Sequence, residues 1–258
     1  MNDLTRKLSA TVLLVLAATS GVARAAGTTP LTRARLEALR SSSNDPSGDS
    51  FIDSKSKLND LIDAFAADSS LASPMLLYLA ANTAFRLGRI EDSGFLLYAA
   101  QLRKAFDFQR YDISREPNGN NAATYLAFLN QTIGQSVNPA IMGQPKSFSS
   151  AIRRIEVWEV VPSAQAFYPD FQEAKGFKLK EPEWAAAAKA IKDEFLKQFG
   201  RRFEKLLSDP QYFEAFQFVQ GVNLGRINAA DPKNMARLAE MSGRMTAIER
   251  KLDAEAVK

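Results

Sequence analysis

Three features of the sequence predict an all-α fold. Apolar residues recur at spacings of three and four, which is the helical period, and runs that alternate as strands do are scarce. A residue that caps helices also stands directly before a proline at four places, Ser73-Pro74, Asn138-Pro139, Asp209-Pro210 and Asp231-Pro232. Because proline suits the first turn of a helix, each pair predicts a helix start. We predict an irregular helical bundle or a short array of helical hairpins after an N-terminal signal peptide.

Residues 1–25 have the pattern of an export signal. Arg6 and Lys7 precede an apolar run from Leu8 to Ala18, and Ala23-Arg24-Ala25 has the small-x-small order of a cleavage site. The run has about half the length that a membrane-spanning helix needs. We therefore expect a cleaved signal, with an uncleaved anchor as the alternative, and a periplasmic or secreted protein without a stable membrane span.

The rest of the chain divides into a linker and a helical domain. Residues 26–50 are predicted to form a short helix and a polar linker, and residues 51–258 an all-α domain. Three early segments of that domain carry apolar side chains at helical spacing: Leu58, Leu61, Ile62 and Phe65; Ala122, Tyr125, Leu126, Leu129 and Ile133; Phe148, Ala151, Ile152 and Ile155.

Residues 77–100 predict two apolar helices joined by a short turn that contains Gly88. Small residues on the inner faces of two such helices allow close packing. Aligned on the turn from Arg86 to Asp92, this segment resembles one degenerate tetratricopeptide repeat. The resemblance places Leu77 and Ala80 on the outer part of the first helix and Ala81 and Ala84 where small residues let the helices approach. It places three residues on the facing side of the second helix, namely Ser93, Leu97 and Ala100.

The resemblance implies helical-hairpin architecture and a repeat-derived binding surface, and it assigns no functional residues. Ser93 stands where that family usually has alanine, and no proline closes the unit after Ala100. No convincing second copy follows at the expected spacing, and a solenoid generally needs about three stacked units. A plain helical hairpin inside an irregular α domain is the alternative.

The second half of the chain predicts two long helices. Residues 182–207 carry an apolar stripe (Trp184, Ala188, Ile191, Phe195, Phe199, Phe203 and Leu206) that Gly200 interrupts, which predicts a kink or a break. Residues 232–256 predict an amphipathic terminal helix with a methionine-rich stripe, which either packs on the domain or binds a partner. Residues 157–161 predict a helix end before Pro162, with a short buried strand as the alternative.

Composition excludes several classes of function. The chain has no cysteine and no histidine, which removes disulfides, a lipoprotein anchor, histidine-dependent triads, and zinc sites built on histidine or thiolate. Its formal net charge is +4, and removal of the leader would lower that by two, so no nucleic-acid partner is indicated. We expect no metal and no cofactor.

Candidate catalytic patterns are weak. Ser54 and Lys57 have Ser-x-x-Lys spacing, but neither companion element of penicillin-recognising enzymes is present. The acidic residues between Asp45 and Asp53 do not fit a calcium loop. Two carboxylate pairs, Glu156 with Glu159 and Glu181 with Glu183, keep a carboxylate-dependent envelope enzyme acting on glycan or lipid as an alternative.

We expect a binding function instead, with one protein partner in the cell envelope. An immunity protein that blocks a toxin acting in the periplasm is one specific form of this hypothesis, and an assembly or structural factor is another alternative. The connection between residues 162 and 181 is rich in aromatic residues, and it supplies Tyr168, Asp170 and Phe171 as candidate partner-binding residues. Burial of these aromatic side chains in the core is the competing interpretation.

Overall fold

The computed structural model describes residues 59, 62, 63, 65, 72–110, 119–161 and 181–256. Within these ranges the regular structure is helical and no strand occurs, which confirms the predicted all-α class. The predicted leader (1–25) and the linker segment (26–50) lie outside the described residues.

The helices follow one another closely along the chain. They are α1 (Pro74–Arg86), α2 (Ile90–Arg110), α3 (Gly119–Met142), α4 (Pro145–Val157), α5 (Trp184–Phe195), α6 (Arg201–Ser208), α7 (Pro210–Asn223) and α8 (Pro232–Ala256). A short 3₁₀ turn, Glu181–Glu183, precedes α5, and the π-helical segment Leu196–Gly200 joins α5 to α6.

Three of the four predicted helix starts are confirmed. The Ser73 hydroxyl accepts a hydrogen bond from the Leu76 amide, and α1 begins at the next residue, a proline. The Asp209 carboxylate accepts from two amides of the first turn of α7, and the Asp231 carboxylate accepts from the Lys233 amide at the start of α8. Each cap satisfies a backbone donor that a helix leaves unpaired at its N-terminus.

The prediction of a helix start at Asn138-Pro139 is wrong, because Pro139 lies inside α3. The Asn138 side chain does not cap a helix; its oxygen accepts a hydrogen bond from the Tyr98 hydroxyl at 3.3 Å. Proline removes one backbone bond near the end of α3, and the buried side chains of Val137 and Ile141 hold that last part of the helix against the core.

The α1–α2 hairpin has the turn and the close packing that its sequence predicts. Gly88 adopts a positive φ of 76°, and the Arg89 amide donates to the Ala84 carbonyl across the turn. The Ser93 hydroxyl donates to the Ala81 carbonyl at 2.7 Å, so the serine links the two helices. The small residues and Leu97 of this hairpin are fully buried.

The positions of Leu77 and Ala80 in the hairpin differ from those that the resemblance predicts. The resemblance places them on the outer part of the first helix, yet neither has any exposed surface. Almost every residue of α1 is buried, since the helix packs on both α2 and α3. No side of α1 is therefore available as an open binding face.

Helix α2 is the central element, with α1, α3, α4 and α5 packed around it. Helix α3 comes so close to it that a Cβ atom added to Gly94 would lie 1.9 Å from Cδ1 of Ile141. Asn130 of α3 also accepts hydrogen bonds from Tyr78 of α1 and Gln101 of α2. These contacts fix α3 against the first hairpin and leave its opposite side facing outward.

The predicted interruption at Gly200 is a π-helical segment. Cβ at this position would lie 3.2 Å from the side chain of Ile152 on α4, so the glycine permits a close approach of two helices. Tyr98 and Phe148 form ring contacts with the stripe of this long helix, which includes Phe195, Phe199 and Phe203. These aromatic contacts join α2, α4, α5 and α6 in one core.

The terminal helix packs on α7, as one of its two predicted roles requires. Met241 and Met245 are buried, whereas Met235 at the start of the stripe is exposed. The Tyr212 hydroxyl of α7 donates to the Glu249 carboxylate of α8 at 2.8 Å. The methionine stripe is therefore mainly a packing surface.

Candidate functional site

A surface groove of about 470 Å³ lies between α2, α5 and the extended residues that follow α4. Its walls are mainly apolar and its rim carries both signs of charge. The described residues that line it are Phe106, Glu159, Val160, Val161, Trp184, Ala185, Ala188, Lys189 and Lys192. The volume lies within the roughly 300–1,000 Å³ that ligand-binding clefts usually have.

One wall of the groove exists because α4 ends early. The helix stops at Val157, and Trp158 adopts an extended backbone conformation. The Lys192 ammonium of α5 donates to the main-chain carbonyls of Glu156 (2.8 Å) and Trp158 (2.9 Å). A cation at the C-terminal end of a helix satisfies its last carbonyls and suits its dipole. Lys192 thereby ties the extended residues to α5 and sets the width of the groove.

Two aromatic rings of the groove are held by a buried arginine. The Arg110 guanidinium lies 5.0 Å from the ring centroid of Phe106 and 4.7 Å from that of Trp184. Arg110 and Asp107 form a buried ion pair at 2.5 Å. Cation–π contacts of this kind contribute about 0.5–2 kcal/mol each. The ring positions of Phe106 and Trp184 are consequently fixed by packing and charge together.

Trp158 is held from behind in a similar way. The Arg103 guanidinium lies 5.2 Å from the Trp158 ring centroid, and its Nη1 donates to the Ala72 carbonyl at 2.5 Å. Phe95 meets the same tryptophan edge to face, with ring centroids 6.4 Å apart. These contacts hold the Trp158 side chain in place, and Trp158 is the first of the extended residues that lead into one wall of the groove.

The rim of the groove is charged and open to solvent. Lys189 pairs with Asp193 one helical turn away, and the Glu159 side chain is exposed. Ala185 is also exposed at the mouth, while Ala188 is buried below it. An apolar floor with a polar rim is the arrangement found at the centres of protein–protein contacts.

Of the two predicted carboxylate pairs, Glu156 and Glu159 do not share a site, and the Glu181 side chain of the other pair lies outside the described residues. Glu156 lies on α4 and pairs with Arg201 at 3.2 Å, whereas Glu159 lies beyond the end of that helix and lines the groove. The expectation that these two carboxylates are neighbours on one helix is wrong because α4 ends at Val157. Glu183 belongs to the short turn that precedes Trp184.

The predicted partner-binding residues Tyr168, Asp170 and Phe171 lie outside the described residues. Among the groove residues, the sequence indicates Glu159 as a candidate carboxylate, and it does not predict the groove itself. The apolar residues 157–161 and the stripe that begins at Trp184 were noted, but the lysine and arginine contacts that join them cross long distances in the sequence. Lys192, for example, bonds to a carbonyl 34 residues away.

Neither a metal site nor a membrane span is found in the part of the chain that the structure describes. No group of three or more acidic residues there could hold a metal ion, and no helix there is long and apolar enough to cross a membrane. Comparison of the chain with protein-family models, with curated proteins and with solved structures gives no match.

Proposed function

We propose that this chain is an exported protein-binding module of the cell envelope, periplasmic or secreted, and that the groove receives an apolar side chain of one protein partner. The observation that carries the proposal is the half-buried Trp184 ring in an apolar groove with a charged rim, with the fully buried Phe106 ring packed behind the groove. Pre-arranged apolar pockets of this kind accept the few anchor residues that dominate binding energy. Because the rings are already held by Arg110, binding would cost little additional ordering.

The scaffold supports the same proposal. Helices α1 and α2 form an antiparallel hairpin, and α2 is also packed against α3, α4 and α5. The relationship of this hairpin to a tetratricopeptide repeat is part of the proposal, since an open array would leave each unit in contact with its neighbours alone. The compact packing holds the walls of the groove, which lie on α2 and α5, in fixed positions.

Paired variants of two exposed alanines on α5 test the groove. Ala185 lines its mouth, and Ala190 lies on the same helix outside it. Ala185→Arg places a long charged side chain over the groove, whereas Ala190→Arg adds the same charge to the same helix. Tagged forms of the parent and both variants would be cross-linked briefly in the envelope of the producing cells and captured.

The proposal expects one protein to accompany the parent and the Ala190→Arg variant in near-equal amount, and to be lost from the Ala185→Arg variant. A partner that carries a toxin or hydrolase domain would support the immunity form of the proposal. Retention of that partner by Ala185→Arg would contradict the groove as its binding site. Circular dichroism of both variants checks that the helical fold is intact.

Export has its own test. When the chain is produced with its leader, the proposal expects a mature protein that begins at Ala26 in the periplasmic or secreted fraction. Intact-mass measurement of the purified protein identifies its first residue. A protein that keeps residues 1–25 and stays in the cytoplasmic fraction would contradict the export part of the proposal without affecting the groove.

A further inference from the structure

The outer face of α3 is exposed, partly aromatic and free of charge. Tyr125 is 43% exposed and Phe128 is 58% exposed, although helical spacing in the sequence had grouped Tyr125 with the buried stripe. The other exposed side chains of this face are short or uncharged polar groups, namely Thr124, Gln131, Thr132, Gln135 and Ser136. We call these seven residues the neutral face.

The lack of charge extends well beyond that face. Residues 117–145 contain no Asp, Glu, Lys or Arg, in a chain of which 24% is charged. Helix α8 shows what a solvated face looks like in the same protein, since its exposed residues include Lys233, Arg237, Glu240 and Lys251. The centres of protein interfaces, by contrast, are depleted of charge and enriched in tyrosine and phenylalanine.

We infer that the neutral face binds a second copy of this chain and forms a two-fold symmetric dimer. In such a dimer each residue near the axis meets its own counterpart, so any charged residue there would face a like charge. The amide and hydroxyl groups of Gln131, Thr132 and Gln135 both donate and accept hydrogen bonds, and they therefore complement themselves. Tyr125 and Phe128 can likewise pack against their own copies.

The overall charge of the protein favours the same location for self-association. Two copies that each carry a net positive charge, +4 with the leader and two less without it, repel one another in general. That repulsion is least where the contacting surfaces hold no charge. A different protein partner would gain from complementary charges, and the neutral face offers none.

The size of the face predicts a weak dimer. The exposed residues run from Thr124 to Ser136, which is about 20 Å of helix at 1.5 Å per residue. One helix face of this length buries less than the roughly 1,200 Å² of total surface that stable complexes reach. We expect monomers at low micromolar concentration and dimers at several hundred micromolar.

Sedimentation velocity of the purified full chain over this concentration range tests the inference. The parent is expected to shift from monomer to dimer, while Phe128→Lys, which places two like charges near the axis, remains monomeric throughout. Val157→Lys is the matched control, because Val157 is 82% exposed and lies on α4. This control is expected to dimerise as the parent does.

Three results would overturn the inference. The first is a parent protein that stays monomeric at every concentration, which would leave the face to another molecule. The second is a Phe128→Lys variant that dimerises as well as the parent. The third is a Val157→Lys variant that loses the dimer to the same extent as Phe128→Lys. Because Phe128 is largely exposed, its replacement should leave the helical circular dichroism unchanged, and that spectrum is recorded for each variant. None of these outcomes depends on the partner proposed for the groove.

Discussion

Replacing Gly94 by alanine tests the close contact between α2 and α3. Cβ of the new residue would lie 1.9 Å from Cδ1 and 3.2 Å from Cγ1 of Ile141, whereas ordinary contacts begin at 3.4 Å. Ile141 is fully buried, so it cannot move aside into solvent. The substitution therefore forces either a rotamer change in the core or a separation of the two helices.

The expected cost can be estimated from two opposing effects. Overpacking of a well-packed core costs about 1–3 kcal/mol, and an overlap this severe belongs in the upper part of that range. Alanine in place of glycine inside a helix also stabilises the protein by about 1 kcal/mol, because alanine has the higher helix propensity. The free energy of unfolding should fall by about 1–2 kcal/mol, measured by urea denaturation followed by circular dichroism.

Two further variants separate the contact from the propensity effect. Gly243 lies in α8 with no atom near its added Cβ, so Gly243→Ala should raise stability by up to about 1 kcal/mol. Ile141→Val removes Cδ1, and combined with Gly94→Ala it should be less destabilising than the sum of the single changes. If Gly94→Ala is as stable as the parent, the proposed approach of α2 and α3 is wrong.

Three other predictions concern stability. Asp209→Ala should lower the free energy of unfolding, measured by urea denaturation, by about 1 kcal/mol, because it removes the cap of α7. Asp209→Asn should keep most of the stabilisation that the cap provides, since asparagine also caps helices. Equal losses in the two variants would contradict the capping role. Ser93→Ala should lower the free energy of unfolding by about 0.5–1.5 kcal/mol, because a buried hydrogen bond is lost. An unchanged midpoint of urea denaturation would contradict the contribution of this hydrogen bond. Burial raises the pKa of Tyr78, Tyr98 and Tyr212 above the usual value of about 10, so they stay protonated when unfolded tyrosines ionise. The free energy of unfolding should therefore fall above pH 10, by up to about 1.4 kcal/mol per pH unit for each tyrosine, and a flat profile between pH 9 and 11.5 would contradict this.

Local chemistry explains which parts of the fold were predictable. The caps at Ser73, Asp209 and Asp231 act within three residues, so their patterns were sufficient to place three helix starts. Asn138-Pro139 has the same pattern and failed as a helix start. The Asn138 side chain bonds to Tyr98, 40 residues away, and the sequence does not show that contact.

The groove and the neutral face also depend on contacts between residues that are far apart in the sequence. The packing of Gly94 against Ile141 turns one side of α3 toward the core, and the helical spacing alone does not distinguish the exposed Tyr125 from the buried Leu126. The groove wall depends on Lys192 reaching across to the end of α4. Apolar spacing predicted the helices, but not which surfaces they leave open.

Photo-cross-linking from the groove is the most direct test of the binding function. A photoreactive phenylalanine analogue would be placed at position 185, at the mouth, and in a second variant at position 190, outside it. In intact producing cells we predict one specific cross-linked protein from position 185 and little or none of it from position 190. Equal cross-linking from both positions, or none from either, would contradict the groove as the site of partner binding.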